Sequence, residues 1–134
     1  MEAENGQATI LVIDDVPMIL KVLKRQLEHW GYHVLTAISG EDGIALAESE
    51  SPDLILLDVL MPKMKGREVC ARLKTIDRTR EIPVIFLTAL GLADHVKSAL
   101  DLGADDYVIK PFKPEYLKER IAICLLRNQH RDQA

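Results

Sequence analysis

A chain of 134 residues is long enough for one domain with a substantial core and short for two. Hydrophobic residues make up 48% and charged residues 28%, with a net charge of -4, which excludes a disordered or fibrous chain and gives no sign of a direct nucleic-acid or membrane-surface binder. No apolar run approaches the ~20 residues that cross a bilayer. The polar, acidic stretch Met1 to Ala8 lacks the basic and apolar regions of a signal peptide, so the expected location is the cytoplasm. Cys70 and Cys124 are too few for a disulfide framework and lack metal-site spacing; both are expected to be reduced, partly buried and structural.

The elements alternate regularly along the chain. Thr9 to Ile13 is an unalternated apolar run of strand length, the pattern of a strand covered on both faces, and it ends in Asp14-Asp15. Pro17 suits the first turn of a helix carrying Ile19, Leu20, Val22, Leu23 and Leu27, with Gly31 as its stop. Val34 to Ala37 is a short strand. Ser39-Gly40-Glu41-Asp42 has the form of a capping box opening a helix through Ala47. Leu54 to Leu57 is a third strand ending in Asp58, before a turn at Met61-Pro62. Gly66 precedes a helix with Val69, Cys70 and Leu73 on one side, and the charged segment Thr75 to Glu81 reads as a turn. The fourth strand is Ile82 to Leu87, ending in Thr88-Ala89. A fourth helix is predicted from about Ala93 to Leu102, stopped by Gly103. The fifth strand is Tyr107 to Ile109, ending in Lys110-Pro111, and the fifth helix runs from about Pro114 to Arg127. The expected division is a flexible N-terminus over 1–8, a folded domain over 9–127 and a polar tail over 128–134.

Strand-helix repeated five times, with short connections and right-handed crossovers, predicts one parallel α/β sheet of order 2-1-3-4-5 with five helices on its two faces. Ligands of such sheets bind outside the carboxyl ends of the strands. The residues there are Asp14 and Asp15 on the first strand, Asp58 on the third, Thr88 on the fourth and Lys110 on the fifth. Three crowded carboxylates repel and raise one another's pKa. A hard divalent cation such as Mg²⁺ resolves that repulsion. Lys110 is a point charge suited to a phosphate oxygen, and Thr88 offers a hydroxyl donor. The set suits phosphoryl transfer to Asp58, since such catalysis is mostly positioning and charge neutralisation. Taken singly, Asp14-Asp15 reads equally as a turn and helix-cap pair, and Lys110 as a solvated lysine.

Ile10-Leu11-Val12-Ile13-Asp14-Asp15, Leu54-Ile55-Leu56-Leu57-Asp58-Val59-Leu60-Met61-Pro62 with Gly66 after it, Leu87-Thr88-Ala89, and Gly103-Ala104-Asp105-Asp106-Tyr107-Val108-Ile109-Lys110-Pro111-Phe112 together resemble the CheY-like receiver domains of two-component response regulators. The motifs span about residues 9 to 127. The resemblance implies a flavodoxin-like fold and a phosphorelay function. It makes Asp58 the phosphoacceptor. Asp15 would bind Mg²⁺ directly, Asp14 largely through water, and the Leu60 backbone carbonyl would complete the protein ligands. Lys110, Thr88 and the Ala89 backbone N–H would hold the phosphoryl oxygens. Tyr107 would be the switch residue that follows Thr88, and Lys110-Pro111 a cis peptide. The implied phosphodonor is a histidine kinase or histidine phosphotransfer protein. The implied output surface, formed by the fourth helix, fifth strand and fifth helix, would contact a downstream protein or effector domain.

Relatives of the OmpR type dimerise through charged pairs on that surface. Arg120 and Asp105-Asp106 match part of the pattern, while Tyr116 and Ala122 depart from it. Three rivals stay in view. A haloacid dehalogenase-type phosphatase would carry a second Asp at the position of Leu60. An FMN-binding domain would carry a Ser/Thr/Gly-rich loop in place of Asp14-Asp15-Val16-Pro17. A degenerate receiver would serve only as an interaction module. The sequence leaves open whether the domain stands alone or belongs to a longer regulator.

Overall fold

The computed structural model describes residues 7–58, 66–89 and 103–133. In chain order the elements are β1 (Thr9–Ile13), α1 (Pro17–His29), β2 (His33–Ala37), α2 (Gly40–Glu50), β3 (Leu54–Asp58), α3 (Gly66–Thr75), β4 (Val84–Ala89), β5 (Asp106–Lys110) and α4 (Pro114–Gln133). The helix predicted over 93–102 and the turn at Met61-Pro62 lie outside the described residues; α4 is thus the last helix read from the sequence. The five strands form one parallel sheet in the order β2-β1-β3-β4-β5.

The unalternated strands are apolar on both sides because both sides are covered. Leu11, Ile13, Ile55, Leu57, Val84 and Phe86 pack against Ile44 and Ala47 of α2 and Val69, Cys70 and Leu73 of α3. The intervening Ile10, Val12, Leu54, Leu56, Ile85 and Leu87 pack against Leu20, Leu23 and Leu27 of α1 and Leu117, Ile121 and Cys124 of α4. Each fully buried Leu or Ile side chain stabilises the fold by about 1.5–3 kcal/mol relative to exposure. Cys70 and Cys124 are both free and fully buried, one in each layer. Burial pushes both thiols up to about 11, so they are protonated at neutral pH.

Local signals set the element ends. Pro17 occupies the first turn of α1, and Gly31 follows the cap residue Trp30 at φ +97, a conformation glycine adopts without strain. Trp30 packs against the layer between the sheet and helices α1 and α4, and the Lys118 ammonium sits 5.9 Å from its ring centre. The Asp42 N–H donates to the Ser39 hydroxyl at 3.1 Å, as the cap signature predicts. At Gly43 a Cβ atom would run into the Ile13 side chain, so glycine there lets α2 lie close on β1.

β2 starts one residue earlier than read, at His33, β3 includes Asp58, and three further boundaries differ from the sequence reading. β4 starts at Val84, after Pro83, whose carbonyl accepts the Ile55 N–H at 2.9 Å before the ladder begins. β5 starts at Asp106 and includes Lys110. α4 continues past Arg127 to Gln133, because nothing from Asn128 onward is a glycine or proline that would stop it.

Two acids align the sheet at the amino ends of its strands. The Asp53 N–H donates to the Thr9 carbonyl at 2.8 Å, while its carboxylate accepts the Thr9 N–H at 2.7 Å. Asp105 repeats the arrangement at the β4–β5 pair. Its N–H donates to the Val84 carbonyl at 2.9 Å and its carboxylate accepts the Val84 N–H at 2.9 Å. Each acid precedes one strand and clasps the first residue of its neighbour, at the end of the sheet opposite the candidate site.

Candidate functional site

At the carboxyl end of the sheet, carboxylate oxygens of Asp14, Asp15 and Asp58 lie within 4.8 Å of one another. β1 and β3 are adjacent, so the gathering follows directly from strand order. Asp14 is 1% exposed. Its Oδ1 accepts the Val16 N–H at 2.9 Å, the turn that hands β1 over to α1. Its Oδ2 is buried and meets no hydrogen-bond donor among the described residues. Burial pushes the Asp14 carboxyl above its ordinary value of 3.8. The Val16 N–H and Lys110 pull it back down, and Asp15 pushes it further up. A buried carboxylate oxygen without a donor costs about 1–3 kcal/mol or more. A bound cation would remove that cost.

Lys110 Nζ stands 4.0 Å from Asp58 Oδ1. β4 lies between their strands, so the two backbones are about 10 Å apart at the usual strand spacing. The length of a lysine side chain closes that gap. The sheet thus brings together four of the predicted site residues, Asp14, Asp15, Asp58 and Lys110. Thr88 and Ala89 end β4, with Thr88 opposite Ile109 and Ala89 opposite Lys110 in the register. That backbone placement puts them beside Lys110; their side chains fall outside the description, as does Leu60 altogether. Tyr107 is half-buried. It packs against the layer containing Phe86 and also lines a groove of 410 Å³ with Ile109, Phe112 and Tyr116. The Lys110-Pro111 bond is cis, as the resemblance implies.

The donor set suits a divalent cation. Three carboxylates are hard oxygen ligands of the kind Mg²⁺ prefers, and the orphaned Asp14 Oδ2 is an acceptor in want of positive charge.

Several polar residues have partners that the sequence reading did not foresee. Arg120 forms an ion pair at 2.5 Å with Asp106 of its own chain, so these two charges are joined within the domain. Thr79, inside the segment read as a charged turn, is buried and donates to the Leu73 carbonyl at 2.6 Å. Lys74, which the sequence reading did not single out, reaches three partners at once. A lone Lys, Thr or Asp carries no signal for such a role, because its partners come from distant segments.

The fold and the acidic pocket define a class: a CheY-like α/β domain with its chemistry at the strand ends. Comparison with known proteins narrows this. The response regulator receiver domain family matches residues 10–122. The chain is 45% identical over 125 residues to the "DNA-binding dual master transcriptional regulator RpaA" of Synechocystis sp., covering 93% of this chain and 52% of that protein. It is 44% identical over 128 residues to the "Probable transcriptional regulator ycf27" of Cyanophora paradoxa, covering 95% of this chain and 52% of that one. The CheY-like response regulator receiver domain protein of Methanospirillum hungatei superposes with a TM-score of 0.86 at 30% identity, covering 94% of this chain and 99% of that one. A receiver domain protein of Clostridium thermocellum gives 0.81 at 34% identity, covering 94% and 97%. The chain belongs to the response regulator receiver domain family and is a signalling module of two-component systems. It spans about half the length of these curated relatives. The net charge of these residues does not speak against nucleic-acid binding by a protein of the relatives' length. No described helix is long and apolar enough to cross a membrane.

Proposed function

We propose that Asp58 accepts a phosphoryl group from a histidine kinase or histidine phosphotransfer protein, with Mg²⁺ held by Asp14, Asp15, Asp58 and the Leu60 carbonyl. The observation that carries this reading is Lys110 Nζ at 4.0 Å from Asp58 Oδ1, beside two further carboxylates. An Asp58 carboxylate oxygen attacks phosphorus as the donor's phosphorus–nitrogen bond breaks. Lys110 balances charge on the incoming oxygens, and Thr88 with the Ala89 N–H supplies donors at the end of β4. Bound Mg²⁺ supplies the remaining neutralisation and a template for the phosphoryl oxygens. The domain is a phosphoacceptor that assists its own phosphorylation and dephosphorylation, and it is not an enzyme acting on an outside substrate.

Phosphorylation shifts an existing equilibrium at Thr88 and Tyr107 and alters the surface of β5 and α4. That surface controls a downstream protein or effector domain, in a cytoplasmic protein whose receiver spans 9–127. The names of the relatives favour a transcriptional output. Because Arg120 and Asp106 are already paired within the chain, a dimer through this face would draw on Ile109 and Tyr116 more than on those charges. The test is incorporation of acid-labile phosphate from acetyl phosphate, with Mg²⁺ or with EDTA. Wild type labels only with metal and Asp58→Asn does not label; equal labelling of the two proteins refutes the assignment.

A further inference from the structure

Lys74 lies on α3, at the end of the sheet away from the acids, and its side chain joins three segments. Its Nζ donates to the Ile82 carbonyl at 2.9 Å and the Arg80 carbonyl at 3.2 Å, and stands 3.9 Å from Asp105 Oδ2. Arg80 and Ile82 lead into β4, and Asp105 leads into β5. Gly103 belongs to the same cluster: a Cβ there would sit 3.2 Å from Lys74 Cγ, so the chain entering β5 lies directly on the lysine stem. Asp105 in turn clasps both backbone groups of Val84. At 19% exposure the lysine is mostly shielded from water, which strengthens these contacts relative to a surface pair.

Among the described residues β5 is an edge strand with β4 as its one strand neighbour, and it carries Lys110. Its position along the sheet is set by the β4 ladder and by anchors at its ends. Lys74 and Asp105 bond to the approaches to β4 and β5; β3, which carries Asp58, meets that cluster through its ladder with β4, where Ile55 pairs with Val84.

We propose that Lys74 is a positioning residue for the phosphoryl site, fixing β5 against β4 through Asp105 and thereby fixing Lys110 relative to Asp58. The inference rests on the phosphoryl-transfer reading above. It separates two properties that a generally weakened fold would lose together. Mg²⁺ binding depends on acids of β1 and β3, while phosphoryl binding depends also on Lys110 of β5. A displacement of about 1 Å at a reacting group costs up to about 100-fold in rate, so a partial loss of the anchor is expected to cost about tenfold.

The experiment compares wild type, Lys74→Met, Lys74→Arg and Asp105→Asn. It measures Mg²⁺ affinity by calorimetry, beryllofluoride affinity at saturating Mg²⁺, and the rate of phosphorylation by acetyl phosphate. Lys74→Met and Asp105→Asn are expected to keep the wild-type Mg²⁺ affinity, with beryllofluoride affinity and phosphorylation rate each down about tenfold; Lys74→Arg, which keeps charge and donors, restores most of the loss. A wild-type rate in Lys74→Met, or parallel loss of Mg²⁺ and beryllofluoride binding, overturns the proposal. Unfolding of both Lys74→Met and Asp105→Asn also overturns it, by making the cluster a stability element alone. A wild-type protein that takes no phosphoryl group defeats the underlying reading instead.

Discussion

Replacing Asp14 by asparagine should make the metal-free domain more stable. The side chain is 1% exposed, and its carboxylate oxygens lie with those of Asp15 and Asp58 inside 4.8 Å. Two like charges at that separation repel by about 3 kcal/mol at an effective dielectric of ~20. Solvent around Asp15 and Asp58, and attraction to Lys110, reduce this to a net gain of about 1–2 kcal/mol on neutralising the buried member. Asparagine keeps an oxygen to accept the Val16 N–H, so the turn after β1 survives. For a domain of this length the gain raises Tm by about 3–8 °C. Saturating Mg²⁺ reverses the order, since a ligand at 100 times its Kd stabilises wild type by about 2.7 kcal/mol and the variant binds it poorly.

Acid should close the gap. The folded-state pKa of Asp14 lies above 3.8, so the folded protein binds this proton more tightly than the unfolded chain. Wild type therefore gains stability as pH falls through the folded pKa towards 3.8, and the advantage of asparagine fades over that interval. The assay is thermal denaturation in EDTA and in MgCl₂, at neutral pH and in mild acid. A Tm in EDTA several degrees below wild type would refute the crowding argument.

Gly43→Ala sets helix propensity, worth about 1 kcal/mol in favour of alanine, against a collision with the Ile13 side chain. Ile13 is fully buried and β-branched, so overpacking of about 1–3 kcal/mol prevails, and urea unfolding should show a loss of about 1 kcal/mol. Leu56→Ala, in the layer against α1 and α4, should cost about 2–4 kcal/mol by the same measurement. Amide exchange should change at the end of β4 and along β5 when Mg²⁺ and beryllofluoride are added; identical exchange with and without them would defeat the switch at Thr88 and Tyr107.

The parallel sheet was legible because β1, β3 and β4 read as apolar runs without alternation, and the helices that alternate with them supply a layer for each face. The site was legible for the related reason that Asp14, Asp15, Asp58 and Lys110 each interrupt such a run at its carboxyl end, where packing asks for no charge. The clasps of Asp53 and Asp105 were not legible. Each acid acts on a strand distant in sequence, and locally it looks like any loop carboxylate. The end of α4 was misplaced because Asn128 to Gln133 carries neither an apolar stripe nor a stop signal. Lys74 was not legible either, since only the meeting of the approaches to β4 and β5 gives it partners.

The most direct test of the account is where the phosphoryl group sits. An acyl phosphate on aspartate is reduced by borohydride to homoserine, which survives digestion and peptide mass analysis. After treatment with acetyl phosphate and Mg²⁺, the account predicts homoserine at position 58 alone, and none when EDTA replaces the metal. Homoserine at Asp14 or Asp15, or a trapped product independent of Mg²⁺, would contradict it.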